Sequence, residues 1–235
     1  MRARSMIGIF LLGTSLFAAR AHAIDAAGRI GRGRGERLER TNGEPCGALI
    51  YRTDGPYETG YAWFYGGNVP PEYGAFAECY SGSYEVCGVS LDLTNAGFFG
   101  DGQFEIYLWN DLDGHPGTVL SMRFIAQPGG IAMWPSVSRN LYSFTAPTCV
   151  DGAWWVGFRV TWDQWHDIYV AADLDGPLGC PQTNIAPGLG YPTGWQDVSV
   201  VWDQAQCLAI GAQTNPCLPV PNRRSTWGGI KRLYR

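Results

Sequence analysis

Apolar residues in the middle of the chain recur at every second position. In the run Trp154-Trp155-Val156-Gly157-Phe158-Arg159-Val160-Thr161-Trp162, the residues Val156, Phe158, Val160 and Trp162 share one face and Arg159 and Thr161 the other. That is the pattern of a half-buried strand. Phe104, Ile106 and Leu108 alternate in the same way with Glu105, Tyr107 and Trp109, and period two returns at Ile168, Val170 and Ala172 and at Val198, Val200 and Trp202. Residues 48–52, 61–65, 84–93, 119–126, 141–145 and 207–212 are further strand candidates, each bounded by Gly, Pro, Asn or Asp. About ten short strands with no helical period between them predict an all-β fold, an antiparallel two-sheet sandwich of jelly-roll-like type, with a closed barrel as the alternative.

Composition agrees with that pattern. Of 235 residues, 46% are hydrophobic and 16% charged, which excludes a disordered chain or a coiled coil, and 32 glycines with 15 prolines interrupt the chain too often for long helices. Charge is unevenly placed. Residues 44–221 hold 18 acidic side chains against four basic ones, Arg52, Arg123, Arg139 and Arg159, and no lysine. Such a surface repels nucleic acid. The remaining positive charge lies toward the ends, from Arg29 to Arg40 and at Arg223, Arg224, Lys231, Arg232 and Arg235.

Both ends read as tails on a single domain spanning residues 44–217. Residues 1–23 carry Arg2 and Arg4, an apolar run from Met6 to Ala19, and Ala21-His22-Ala23, the order of a secretory signal cleaved near Ala23. The apolar run falls short of the ~20 residues that span a bilayer, so no transmembrane segment is expected in the mature chain, which is placed outside the cell or on its surface. Residues 24–43 alternate arginine, glycine and acid with few apolar positions and read as a flexible leader. Residues 218–235 form a proline-containing spacer followed by a basic and apolar tail. There Trp227, Ile230, Leu233 and Tyr234 share a face at helical spacing, with Lys231 and Arg232 opposite. The closing string Trp227-Gly228-Gly229-Ile230-Lys231-Arg232-Leu233-Tyr234-Arg235 resembles C-terminal sorting tails of secreted bacterial β-sandwich proteins. That resemblance implies recognition by an export or attachment machinery and display at the cell envelope. The other reading is a terminal strand or helix docked on the body.

Seven cysteines, Cys46, Cys79, Cys87, Cys149, Cys180, Cys207 and Cys217, all follow the cleavage site, so disulfides are their expected use. Zinc is disfavoured by the lack of any Cys-x-x-Cys pair and by the distance of His115 and His166 from every cysteine in sequence. Short separations favour Cys79 with Cys87, Cys207 with Cys217 and Cys149 with Cys180, leaving Cys46, although spacing does not determine connectivity. An odd count leaves one thiol free or bonded to another chain.

Three chemistries compete for the body. Asp-Leu-Asp-Gly occurs twice after a strand, at Asp111 to Gly114 and Asp173 to Gly176, each followed by a proline and glycine turn. The pairs Asp111 with Asp113 and Asp173 with Asp175 could furnish oxygen ligands to calcium, or could equally be plain turn chemistry. The strand with its Asp-Gly turn also resembles sandwich domains of secreted bacterial proteins. Ten tryptophans, 12 tyrosines and 10 phenylalanines suggest a sugar-stacking face, with Tyr107, Trp109, Trp155 and Tyr169 on an outward sheet surface and Trp63, Trp165 and Trp195 near loops. Paired carboxylates and His166 beside Asp167 would serve a glycan-active hydrolase, but no nucleophile elbow and no alternating acid triplet is present. The expectation is therefore a non-enzymatic surface or extracellular protein with a structural or polysaccharide-binding role, no catalytic residues and no cofactor beyond calcium; a secreted hydrolase is the alternative.

Overall fold

Period-two patterning becomes two sheets packed face to face. The computed structural model describes residues 26–31, 33–64, 72–97, 103–126, 130–160, 168–202 and 206–217; the predicted signal segment, the predicted C-terminal tail, and Trp162, Trp165, His166 and Asp167 lie outside them. In chain order the strands are β1 (Ala27–Ile30), β2 (Gly35–Asn42), β3 (Ala48–Ile50), β4 (Pro56–Tyr57), β5 (Thr59–Trp63), β6 (Phe76–Ser81), β7 (Tyr84–Asn95), β8 (Phe104–Leu112) and β9 (His115–Ile125). They continue with β10 (Ala132–Met133), β11 (Ser136–Val150), β12 (Ala153–Val160), β13 (Ile168–Asp173), β14 (Gln182–Ile185) and β15 (Gly194–Asp197). A single helical turn, α1 (Ser199–Trp202), precedes β16 (Cys207–Leu208) and β17 (Ile210–Asn215).

Among the described residues the larger sheet has 11 strands: seven follow the path β1-β5-β13-β7-β11-β2-β4, and off it β10 and β17 pair with β7, β16 with β13 and β3 with β17. Its spine is β7, which pairs with β11 along one edge and with β13 and then β17 along the other. The second sheet has six strands in the order β15-β14-β6-β12-β8-β9. Val86, Val89, Leu91 and Leu93 of β7 meet Ile106 and Leu108 of β8 and Val156 and Phe158 of β12 in one core between the sheets. Each of these side chains is fully buried.

Three expectations are corrected. The predicted leader is built into the fold: β1 pairs antiparallel with β5, and β2 pairs with β11 and β4. Its arginines and glycines hid two strands because the only large apolar side chain that β1 brings to the core is Ile30, and β2 presents a mostly exposed face. The predicted strand at Val198, Val200 and Trp202 is instead a turn at Val198 leading into α1, since Val201 and Trp202 close helical bonds to the Val198 carbonyl and the Trp202 ring drops into the core against Tyr61 and Trp63. The cysteines join Cys46 with Cys87, Cys79 with Cys180 and Cys149 with Cys217, and Cys207 is the free, buried thiol. Proximity in sequence misled because Cys79 on β6 and Cys87 on β7 belong to different sheets, whereas pairing of β3 with β17 and of β17 with β7 carries Cys46 toward Cys87.

Candidate functional site

The second Asp-Leu-Asp-Gly loop is wrapped around its own first carboxylate. Asp173 ends β13 fully buried; its Oδ1 accepts the amides of Asp175 at 3.3 Å and Gly176 at 2.6 Å, and its Oδ2 accepts the Asp54 amide at 3.2 Å. Gly176 is required by that wrap, for a Cβ there would lie 2.1 Å from Asp173 Oδ2. Glu58, the one residue between β4 and β5, ties the loop from the other side by accepting the Leu174 amide at 2.8 Å.

Beside this loop the fold leaves a cleft of about 500 Å³ whose lining includes Arg29, Arg34, Pro56, Glu58, Leu174 and Asp175. The arginines come from the N-terminal strands and the turn between them. Arg29 is steadied by a 3.2 Å bond from its Nε to Thr59 Oγ1, and that hydroxyl in turn donates to the Ile30 carbonyl. Two guanidiniums and two carboxylates thus line one opening, with Pro56 and Leu174 as apolar wall. Glu58, Asp173 and Asp175 each bring a carboxylate oxygen to within 4.8 Å of the others. Burial pushes the Glu58 carboxyl above its usual range, opposed by the Leu174 amide and reinforced by the charges of Asp175 and Asp173. Burial raises Asp173 as well, against three backbone donors. These three acids are the oxygen set that could hold a hard cation, and Glu58 was invisible to a reading confined to the repeated loop.

The first loop does different work. Leu112 and His115 close a two-residue hairpin through Asp113 and Gly114, both with positive φ (54° and 81°), the geometry that Asp-Gly favours. Asp111 Oδ2 accepts the Gly114 amide at 3.1 Å and its Oδ1 accepts the indole N–H of Trp155 at 2.8 Å. Asp111 and Asp113 join no cluster of three acidic, histidine or cysteine ligands among the described residues, and both Asp111 oxygens already accept hydrogen bonds within the protein. His115 lies in the same turn, its Nδ1 2.9 Å from Gln182 Oε1.

The expected sugar-stacking row is also corrected. Tyr107, Trp109 and Trp155 do occupy the outer face of the six-stranded sheet, and Tyr107 and Trp109 stack at 4.9 Å and 11°. Trp109 is nevertheless fully buried and Trp155 only 2% exposed, with Trp195 set edge-on against Trp109 at 5.4 Å. Their polar edges are satisfied within the protein: Trp109 donates to Glu72 at 3.0 Å and Tyr107 to Glu105 at 2.6 Å. Tyr169 lies on the other sheet in the central core, edge-on to Phe64, and Trp63 is buried there too. A satellite core, not an open platform, is what these rings form.

A further acid, Glu78, sits mid-strand in β6 with no exposed surface and accepts the amides of Cys180 at 2.6 Å and Leu208 at 2.9 Å. Its neighbours Cys79 and Cys180 spend their sulfurs on a disulfide, which removes them as metal ligands. Comparison with known proteins finds no matching family model, no matching curated protein and no matching solved structure.

Proposed function

We propose that this is an exported, disulfide-stapled β-sandwich of the cell surface or extracellular space that binds a glycan in the cleft between Arg29, Arg34, Glu58 and Asp175. The observation that carries the reading is the make-up of that cleft. Vicinal hydroxyls present paired donors and acceptors, and guanidinium and carboxylate groups, of which Arg29 and Glu58 are held by hydrogen bonds, answer both. Its volume of about 500 Å³ falls in the range of small-ligand sites. Export is supported by the signal-like first 23 residues and by three disulfides, which persist in oxidising compartments. No helix among the described residues is long and apolar enough to cross a membrane.

Affinity electrophoresis of the full chain through cell-wall and plant polysaccharides tests the binding claim, with retardation by at least one glycan as the expected result. Running the gels with calcium and with chelator shows whether Glu58, Asp173 and Asp175 work with a cation.

A second reading, a secreted glycan-active hydrolase, is favoured by one observation: Glu58, its carboxyl raised by burial, lies with an oxygen within 4.8 Å of Asp175, the close spacing of an acid and nucleophile pair. Release of reducing ends from a retarding glycan, abolished by Glu58→Gln, would convert the binder into an enzyme. A bound but intact glycan keeps it a binding module.

A further inference from the structure

Among the described residues the six-stranded sheet ends on β9, whose outer edge has no partner in the sheet order. Met122 stands opposite Tyr107 and Phe124 opposite Glu105, so both project on the outer face, beside the buried rings of Tyr107 and Trp109. Val119 stands opposite Trp109, and Leu120 follows it at a register shift. Val119, Leu120, Met122 and Phe124 are 37%, 41%, 49% and 51% exposed. An open strand edge flanked by a run of apolar side chains is a surface that folded proteins ordinarily cover.

We propose that residues 227–235 of this same chain cover it, docking as a short amphipathic turn on the Val119 to Phe124 stripe. Trp227, Ile230, Leu233 and Tyr234 form an apolar face of matching size. Nine residues containing Gly228 and Gly229 do not hold a helix alone in water, so the segment needs an apolar surface to fold against. Reach is sufficient. Cys217 is tied to Cys149 on β11, and Arg123 of β9 donates to the Ser143 carbonyl of β11 at 2.5 Å. The six residues from Ser143 to Cys149 cover at most roughly 20 Å along a strand. The spacer formed by residues 218–226 can extend about 30 Å, enough to pass that distance and round the sheet edge. Charge agrees, since residues 218–235 hold five cationic side chains and no acidic one, while Glu72, Glu105 and Asp111 lie on or beside the outer face next to the stripe. Docking is independent of the glycan reading.

Methionine oxidation by dilute peroxide, followed by peptide mass spectrometry of the full chain, tests this directly. Met122 and Met133 are 49% and 61% exposed in the described fold, and Met133 lies away from the stripe on β10 as an internal reference. With the tail docked, Met122 oxidises about fivefold or more slowly than Met133. The double substitution Trp227→Ser with Ile230→Ser, which changes no described residue, brings the two rates within about twofold of each other. Equal rates in the unsubstituted chain would overturn the proposal. So would Met122 protection that survives the substitution and grows with protein concentration, which would give the stripe to a second copy.

Discussion

Asp92 and Arg139 form a two-bonded ion pair on the outer face of the larger sheet, with Nε and Nη2 of the guanidinium each 2.7 Å from a carboxylate oxygen. Both are buried, at 1% and 6% exposure. Tyr57, fully buried, donates its hydroxyl to Asp92 Oδ2, and the Arg139 guanidinium lies 4.3 Å over the Tyr51 ring. Burial and the Asp92 charge together push the Tyr57 hydroxyl far above its ordinary range, so it stays a donor at every working pH.

That arrangement predicts an asymmetric mutational response. Asp92→Ala strands the Arg139 charge in a dry site and should cost about 3–5 kcal/mol, whereas Asp92→Ala combined with Arg139→Met should recover a large part of the loss. Urea denaturation of the three proteins measures it. A single substitution costing under about 1 kcal/mol would mean the pair is wetted and worth no more than a surface bridge.

Glu78 predicts a pH dependence of definite sign. Burial pushes its carboxyl from 4.5 up to about 7, against the pull of the Cys180 and Leu208 amides. The folded state therefore binds this proton more tightly than the unfolded state. Its stabilising contribution is complete below about pH 4.5 and is lost as the pH rises through about 7, a swing of roughly 3 kcal/mol from this group. Glu78→Gln cannot titrate and should flatten that slope. Unfolding free energies from pH 4 to 8 that run parallel in the two proteins would show that Glu78 ionises normally.

The cysteine pattern is checked by peptide mapping without reduction, which should recover the linkages 46–87, 79–180 and 149–217. Cys207 should resist alkylation at pH 8 until denaturant is added and then react once, because burial, reinforced by the charges of Glu78 and Asp173, raises its thiol well above the range where thiolate forms. Substituting Cys79 and Cys180 together by serine opens a link between residues 101 apart and should cost about 2–5 kcal/mol.

The strands most legible from sequence are those with one face in the core. β8, β12 and β13 coincide with the predicted alternating runs, although β13 is buried on both faces and β12 on nearly all of both, and the sandwich follows from them. β6 and β14 were missed because their polar residues are buried: Glu78 interrupts the apolar run of β6, and Gln182, Thr183 and Asn184 all lie inside, the first two with side-chain hydrogen bonds. Aromatic alternation identified the outer face of β8 and β12 correctly but not what covers it, since Trp195 arrives from β15, far along the chain. At the candidate site, Asp173 and Asp175 were readable as a local motif. Glu58, Arg29 and Arg34 were not, because they come to the cleft only through the pairing of β1 and β13 with β5.

The rings of the satellite core offer a contrast with the cleft. Trp109→Ala should cost about 3–5 kcal/mol of stability, as large core truncations do, and should alter any ligand affinity only by unfolding the protein. Thermal unfolding alongside binding separates the two effects.

The most direct test of the account is glycan affinity electrophoresis of the full chain beside Arg34→Ala, an exposed side chain that lines the cleft, with the migration of both proteins compared on the polysaccharide that retards the unsubstituted chain. Loss of retardation in Arg34→Ala, with unchanged unfolding behaviour, is the predicted result. Retardation that Arg34→Ala leaves intact, or no retardation on any polysaccharide, would contradict a glycan site in this cleft.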